Sequence, residues 1–217
     1  MKKKWIFFDL DGTLSDSAPG VFKSARYAAE QMGAKPLSDE AMKQFFGPPL
    51  IWSFINLYGL SETDAHRAAG LYREKYAEAR LEDELFPGVR EMLHHLKESG
   101  LKLCVVTSKW EPIAQAVLEQ YEITPLFDHL FGGEASAAHS EKAELIRRAL
   151  QKTGASPAEC VMVGDRKFDV LGAKECGLES VGCYFGYTDP GELEEAGATH
   201  IVHSVAELES VLLAYTS

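Results

Sequence analysis

Cysteine is scarce in this chain, and its spacing is uninformative: Cys104, Cys160, Cys176 and Cys183 form no C-x-x-C pair, and no histidine stands at zinc-ligand spacing from them. Buried free thiols are therefore expected, rather than a disulfide framework or a zinc site. Long hydrophobic runs are also missing. The first apolar stretch ends at Asp9 after four residues, short of the roughly 7–15 that a signal peptide needs. Nothing approaches the ~18 apolar residues of a membrane span. These absences predict a soluble, cytoplasmic protein. Positive charge is in deficit, with 22 Lys and Arg against 33 Asp and Glu and a formal net charge of −11. A surface this acidic repels nucleic acid and anionic membrane, so neither is an expected partner. It repels phosphorylated compounds as well. Any phosphate site must therefore gather local positive charge from a metal or from lysines.

The chain does have an ordinary globular composition, 46% apolar and 25% charged over 217 residues. That length suits one large domain, or one domain carrying an insert. Short apolar runs at 5–10, 101–107, 160–164 and 180–184, with a weaker one at 201–203, lack polar alternation and read as parallel strands buried on both faces. Helical periods lie between them. Val89, Met92, Leu93 and Leu96 follow one helix face, and residues 110–121, 140–152, 168–176 and 205–214 supply further helices. Strand–helix alternation predicts an α/β fold: a Rossmann-like parallel sheet with helices on both faces. Residues 16–84 break the alternation with four helical patterns and no convincing strand. The expected organisation is therefore an α/β core from 1–15 and 85–217 around an all-helical insert at 16–84.

In an open parallel sheet, ligands bind beyond the carboxyl ends of the strands. The first strand ends in Asp9-Leu10-Asp11-Gly12-Thr13. Two carboxylates so close repel each other unless a cation or proton lies between them, and Gly12 lets the backbone approach a ligand. The second ends in Thr107-Ser108-Lys109, whose hydroxyls and N–H groups can hold phosphate oxygens. Lys142, in the first turn of its helix behind a Ser140 cap, is a cation at the wrong helix end and wants an anionic partner. The run at 160–164 leads into Gly164-Asp165-Arg166-Lys167-Phe168-Asp169, with Asp165 and Asp169 one helical turn apart.

Taken in this order, the four signals resemble the haloacid dehalogenase-type hydrolase superfamily, in its phosphoglycolate-phosphatase and 5′-nucleotidase-like branch. The resemblance spans nearly the whole chain. It implies a Mg²⁺-dependent phosphatase acting on a small phosphate monoester, a nucleoside monophosphate or phosphoglycolate. Asp9 would be the nucleophile that forms an aspartyl-phosphate, and Asp11 the general acid and base. Gly12, Thr107, Ser108 and Lys142 would hold the phosphate. Asp9, the backbone of Asp11 and Asp165 would hold Mg²⁺, with Asp169 orienting Lys142 behind them. The helical insert resembles the family's cap, and Gly47-Pro48 its substrate loop. Ala143 and Trp110 stand where many relatives have proline, and Trp110 bears on the site mouth. Two rivals remain. A sugar phosphomutase would use the same aspartates, but the loop 47–50 lacks the basic residue such relatives tend to carry. A non-catalytic phosphate-binding module would not need all of Asp9, Asp11, Lys142 and Asp165. A monomer is the default, since a cap can seal the site without a partner.

Overall fold

A computed structural model describes residues 2–134 and 142–216. The chain opens with strand Trp5–Phe8 (β1) and the two-residue strand Ser15–Asp16 (β2). Four helices follow: Ala18–Gln31 (α1), Asp39–Met42 (α2), Leu50–Tyr58 (α3) and Glu62–Ala79 (α4). The chain then returns through Glu84–Leu85 (β3), Val89–Glu98 (α5), Lys102–Trp110 (β4), Glu111–Gln120 (α6) and His129–Gly133 (β5). The remainder runs Lys142–Thr153 (α7), Cys160–Gly164 (β6), Lys167–Glu175 (α8), Glu179–Cys183 (β7), Glu192–Ala196 (α9), His200–Val202 (β8) and Val205–Ala214 (α10).

Six strands form one parallel sheet in the order β5-β4-β1-β6-β7-β8. Burial on both faces explains their unbroken apolar runs, since alternate side chains feed two separate cores. Ile6, Phe8, Leu103, Val105, Val161 and Val163 face α5, α6 and α10. Trp5, Phe7, Cys104, Val106, Cys160 and Met162 face α7 and α8. All four cysteines are free thiols, and three of them are buried. Among the described residues, no helix is long and apolar enough to cross a membrane.

The helical patterns between 16 and 84 are present, and α1, α3 and α4 share a third core containing Ala25, Ala28, Phe54, Ala68, Tyr72 and Tyr76. The expectation of no strand there needs a correction. β2 and β3 pair antiparallel through Ser15–Leu85 and Asp16–Glu84, closing the base of the helical segment. Two residues per strand are too few to show a period, so the pattern was silent. β5 was also missed. Its sequence, HLFGG, ends in two glycines and carries little strand propensity. Pairing with β5 carries β4 past Thr107 to Trp110, which sits opposite Gly133. The first strand stops at Phe8 instead of reaching residue 10, because the N–H groups of Thr13, Leu14 and Ser15 all turn back onto the Leu10 carbonyl. The five-residue, mostly acidic α9 has no apolar period to read. Ser140, the expected cap of α7, lies outside the described residues.

Leu103 is fully buried in the sheet, whereas Leu81 is 65% exposed. Leu103→Ala should cost about 2–5 kcal/mol in urea unfolding, through lost transfer energy and a cavity. Leu81→Ser should stay within about 0.5 kcal/mol of the parent.

Candidate active site

β4, β1 and β6 are neighbours, so sheet order alone brings their three carboxyl ends together. Asp9 follows the last residue of β1. Its N–H donates to the Val163 carbonyl at 2.9 Å, and its Oδ1 accepts the Leu10 N–H at 2.8 Å. Backbone bonds on both sides thus fix the direction of the carboxylate. Lys142 reaches it from the first residue of α7. The Lys142 ammonium lies 3.0 Å from Asp9 Oδ1 and 2.7 Å from Asp169 Oδ1, and donates to the Val106 carbonyl at 3.1 Å. Two carboxylate oxygens and one carbonyl oxygen thus surround the ammonium group. Burial by itself would lower the Lys142 pKa, but Asp169 and Asp9 outweigh it and hold the group above the ordinary lysine value. Gly172 on α8 permits this approach of α7, since a Cβ there would stand 3.0 Å from the Lys142 backbone-side carbons.

Asp165, at the end of β6, is fully buried. Its Oδ2 accepts the Tyr187 N–H at 2.7 Å and its Oδ1 the Thr13 hydroxyl at 3.3 Å. Asp169 caps α8 by accepting the Arg166 N–H at 3.2 Å. Carboxylate oxygens of Asp9, Asp165 and Asp169 all lie within 4.8 Å of one another, and all three residues are buried. Burial first, then the charges of Asp169 and Asp9, push Asp165 well above the carboxylate range. Buried like charges this close call for a cation, and an all-oxygen donor set fits a hard divalent ion such as Mg²⁺. The backbone leaves room for the carboxylates themselves. Gly12 has φ of +78°, and a Cβ on it would fall 2.2 Å from Asp165 Oδ2.

A cavity opens over these groups. Asp9, Asp11, Thr107, Ser108 and Lys109 line it from the α/β core, and Phe46, Gly47, Pro48, Tyr72 and Tyr76 line it from the helical segment. Trp110 and Arg73 line it too, with the guanidinium 5.4 Å from the indole centroid. The structure therefore brings together Asp9, Asp11, Thr107, Ser108, Gly47 and Pro48 on one cavity, with Lys142, Asp165, Asp169 and Gly12 behind it. His139, three positions before Lys142 in the sequence, lies outside the described residues.

Other residues escaped the sequence reading. Lys109 Nζ stands 2.9 Å from Asp11 Oδ1 and donates to the Tyr76 hydroxyl at 2.9 Å. Arg166 is buried; it donates to Glu192 at 2.9 Å and to the carbonyls of Phe46 and Lys43 at 2.7 and 3.0 Å. The Tyr187 ring stacks on Phe46 with centroids 3.7 Å apart, and its hydroxyl donates to Asp16 at 2.7 Å. Lys109 and Arg166 each sit beside a motif residue, which was the available signal. Tyr187 gave none, because its partners are 22 to 171 positions away.

Comparison with known proteins agrees with this geometry. The family model for haloacid dehalogenase-like hydrolases matches residues 6–183, and the chain belongs to that family. It is 34% identical to a 5′-nucleotidase of Pseudomonas aeruginosa, over 95% of this chain and 94% of the relative. It is 29% identical to a phosphoglycolate phosphatase of Vibrio parahaemolyticus, over 96% of each. A tyrosine-protein kinase, PtkA of Mycobacterium tuberculosis, is 33% identical over 95% of this chain and 72% of the relative. Among solved structures, a predicted phosphatase from Clostridium acetobutylicum superposes with a TM-score of 0.94 at 33% identity, covering 99% of this chain and 100% of that one.

Asp165→Asn removes one of three crowded buried carboxylates. In EDTA at neutral pH the variant should melt a few degrees above the parent, a gain of about 1 kcal/mol. Added Mg²⁺ should then raise the melting temperature of the parent and leave the variant unmoved.

Proposed function

We propose that this protein is a Mg²⁺-dependent phosphatase that hydrolyses small phosphate monoesters through an aspartyl-phosphate on Asp9. The observation that carries the reading is the placement of Asp9: rigidly held at the end of the central strand, 3.0 Å from Lys142, and facing one cavity with Asp11, Thr107 and Ser108. An Asp9 oxygen attacks phosphorus in line with the ester oxygen. The P–O ester bond breaks, and Asp11 gives its proton to the departing oxygen, which leaves as the alcohol. Asp11, now a carboxylate, takes a proton from water as that water attacks the same phosphorus. The products are inorganic phosphate and free Asp9. Lys142 neutralises phosphate oxygens, while Thr107 and the Ser108 N–H orient them.

Asp9, Asp165 and the Asp11 carbonyl would hold the Mg²⁺, with Asp169 steering Lys142. When bound, the ion shields the attacking carboxylate from the negative phosphate and supplies positive charge that a −11 protein lacks. The helical segment, residues 16–84, would act as a cap that closes over the reaction and keeps out water, with Gly47-Pro48 against the leaving group. A cavity wall of Phe45, Phe46, Tyr72 and Trp110 suits a flat, partly apolar leaving group. Of the two named candidates, this favours a nucleoside monophosphate. The carboxylate of phosphoglycolate would meet Asp11 and Glu134 there, as well as the cations of Lys109 and Arg73.

Phosphate release from a panel of monoesters, with Mg²⁺ or EDTA, tests the proposal. Release should require the metal, run fastest with nucleoside monophosphates, and drop by about 10³-fold or more in Asp9→Asn. Undiminished release in Asp9→Asn would sink the nucleophile. If ATP gave protein-bound phosphotyrosine while no monoester was hydrolysed, the reaction would be transfer of the kind PtkA is named for.

A further inference from the structure

Lys109 is unusual among the lysines because it is almost wholly buried at a site mouth, its side chain only 8% exposed. It is also held from both sides. Its ammonium is 2.9 Å from Asp11 Oδ1 and donates to the Tyr76 hydroxyl oxygen at 2.9 Å, with the Tyr76 ring centroid at 4.3 Å. Tyr76 in turn donates its proton to Asp83 Oδ2 at 2.7 Å, and Asp83 Oδ1 accepts the Gly20 N–H at 2.7 Å. Tyr76 and Asp83 are 1% and 3% exposed. Gly20 is shaped for this contact, since a Cβ there would meet Asp83 Oδ1 at 2.6 Å. The bonds converge on Asp83: Lys109 donates to Tyr76, Tyr76 donates to Asp83, and the Gly20 N–H of α1 donates to Asp83 from the other side.

We infer that Lys109, braced by Tyr76 and Asp83, is the positioning residue that aims the Asp11 carboxyl at the leaving group. This rests on the reading of Asp11 as general acid. Lys109 meets Oδ1 as an ion pair at 2.9 Å, without an aligned hydrogen bond, and its positive charge disfavours a proton on the oxygen it faces. With Oδ1 taken by Lys109, the proton that Asp11 delivers is confined to Oδ2. As the ester P–O bond breaks, its electron pair stays with the departing oxygen. The Oδ2 proton moves to that oxygen, the alcohol leaves neutral, and Asp11 is left as a carboxylate. Tyr76, Asp83 and Gly20 all belong to the helical segment, whereas Asp11 and Lys109 belong to the α/β core. The acid is therefore aimed only while the two are packed together. Direct use of Lys109 to bind substrate is the competing explanation, and the two differ in how the rate depends on the leaving group.

p-Nitrophenolate departs without being protonated, but an alkoxide does not. The test is the first-turnover rate of alcohol release from p-nitrophenyl phosphate and from an unactivated alkyl phosphate. It compares the parent with Tyr76→Phe, Asp83→Asn and Asp11→Asn, with melting temperatures alongside. General acid catalysis contributes about 10²–10⁴-fold, and misaiming the acid should forfeit part of that. Tyr76→Phe and Asp83→Asn should slow alkyl release by about tenfold or more, with p-nitrophenolate release within about twofold of the parent. Asp11→Asn should show the same selectivity, larger. Asp83 lies off the cavity and its substitution changes almost no volume, so it decides the matter if Tyr76→Phe folds poorly. Equal slowing of both esters, or of neither, in Asp83→Asn would overturn the inference while a selective Asp11→Asn left the acid assignment standing. Loss of selectivity in Asp11→Asn itself would remove the acid assignment, and this inference with it.

Discussion

The site is organised around one buried ammonium group. Lys142 carries a positive charge into a place where Asp9, Asp165 and Asp169 crowd negative ones, and each depends on the other. Without the lysine, three buried carboxylates would repel one another unopposed. Without the carboxylates, a buried lysine would lose its proton. The pairing thus sets a positive charge against two of the crowded carboxylates, Asp9 and Asp169. It also ties together β1, β4, α7 and α8, because the ammonium bonds to Asp9, to the Val106 carbonyl and to the residue that caps α8. Removing one partner of such a pair is costly because it strands the other.

A second buried lysine works across a different boundary. Lys142 is satisfied entirely within the α/β core, but Lys109 is shared between Asp11 of the core and Tyr76 of the helical segment. Arg166 does the same on the far side, where it leaves Asp165 by one residue and binds the carbonyls of Lys43 and Phe46. Three buried cations, Lys142, Lys109 and Arg166, thus sit beside the acids and motif residues of the site. Each is desolvated and held by several oxygens, where its charge is felt more strongly than at the surface.

The core fold was legible because parallel strands buried on both faces leave unbroken apolar runs, as at 160–164. The four site signals were legible because strand order makes strand ends converge, so the positions of Asp9, Thr107 and Asp165 follow from topology. What stayed hidden was short or long-range. β2 and β3 are two residues each and pair with one another, and β5 pairs with its neighbour β4, so none of them left a local pattern. Lys109 read as part of a polar turn, since nothing in the sequence announces its bond to Tyr76, 33 positions away. Tyr187 was invisible for the same reason. Local patterns reveal which residues are buried, but the partners of buried polar groups come from the tertiary fold.

The position of β1 in the sheet has a consequence for the order of assembly during synthesis. The strand bearing Asp9 is made first, yet its two neighbours are the strands at 102–110 and 160–164. A ribosome would finish the whole helical segment, whose contacts are local, while Trp5–Phe8 still had no sheet to enter. Between those events lies a chain with an unpaired, wholly apolar strand. The three lysines that precede it, Lys2, Lys3 and Lys4, are the kind of charged flank that discourages such a strand from joining another nascent chain.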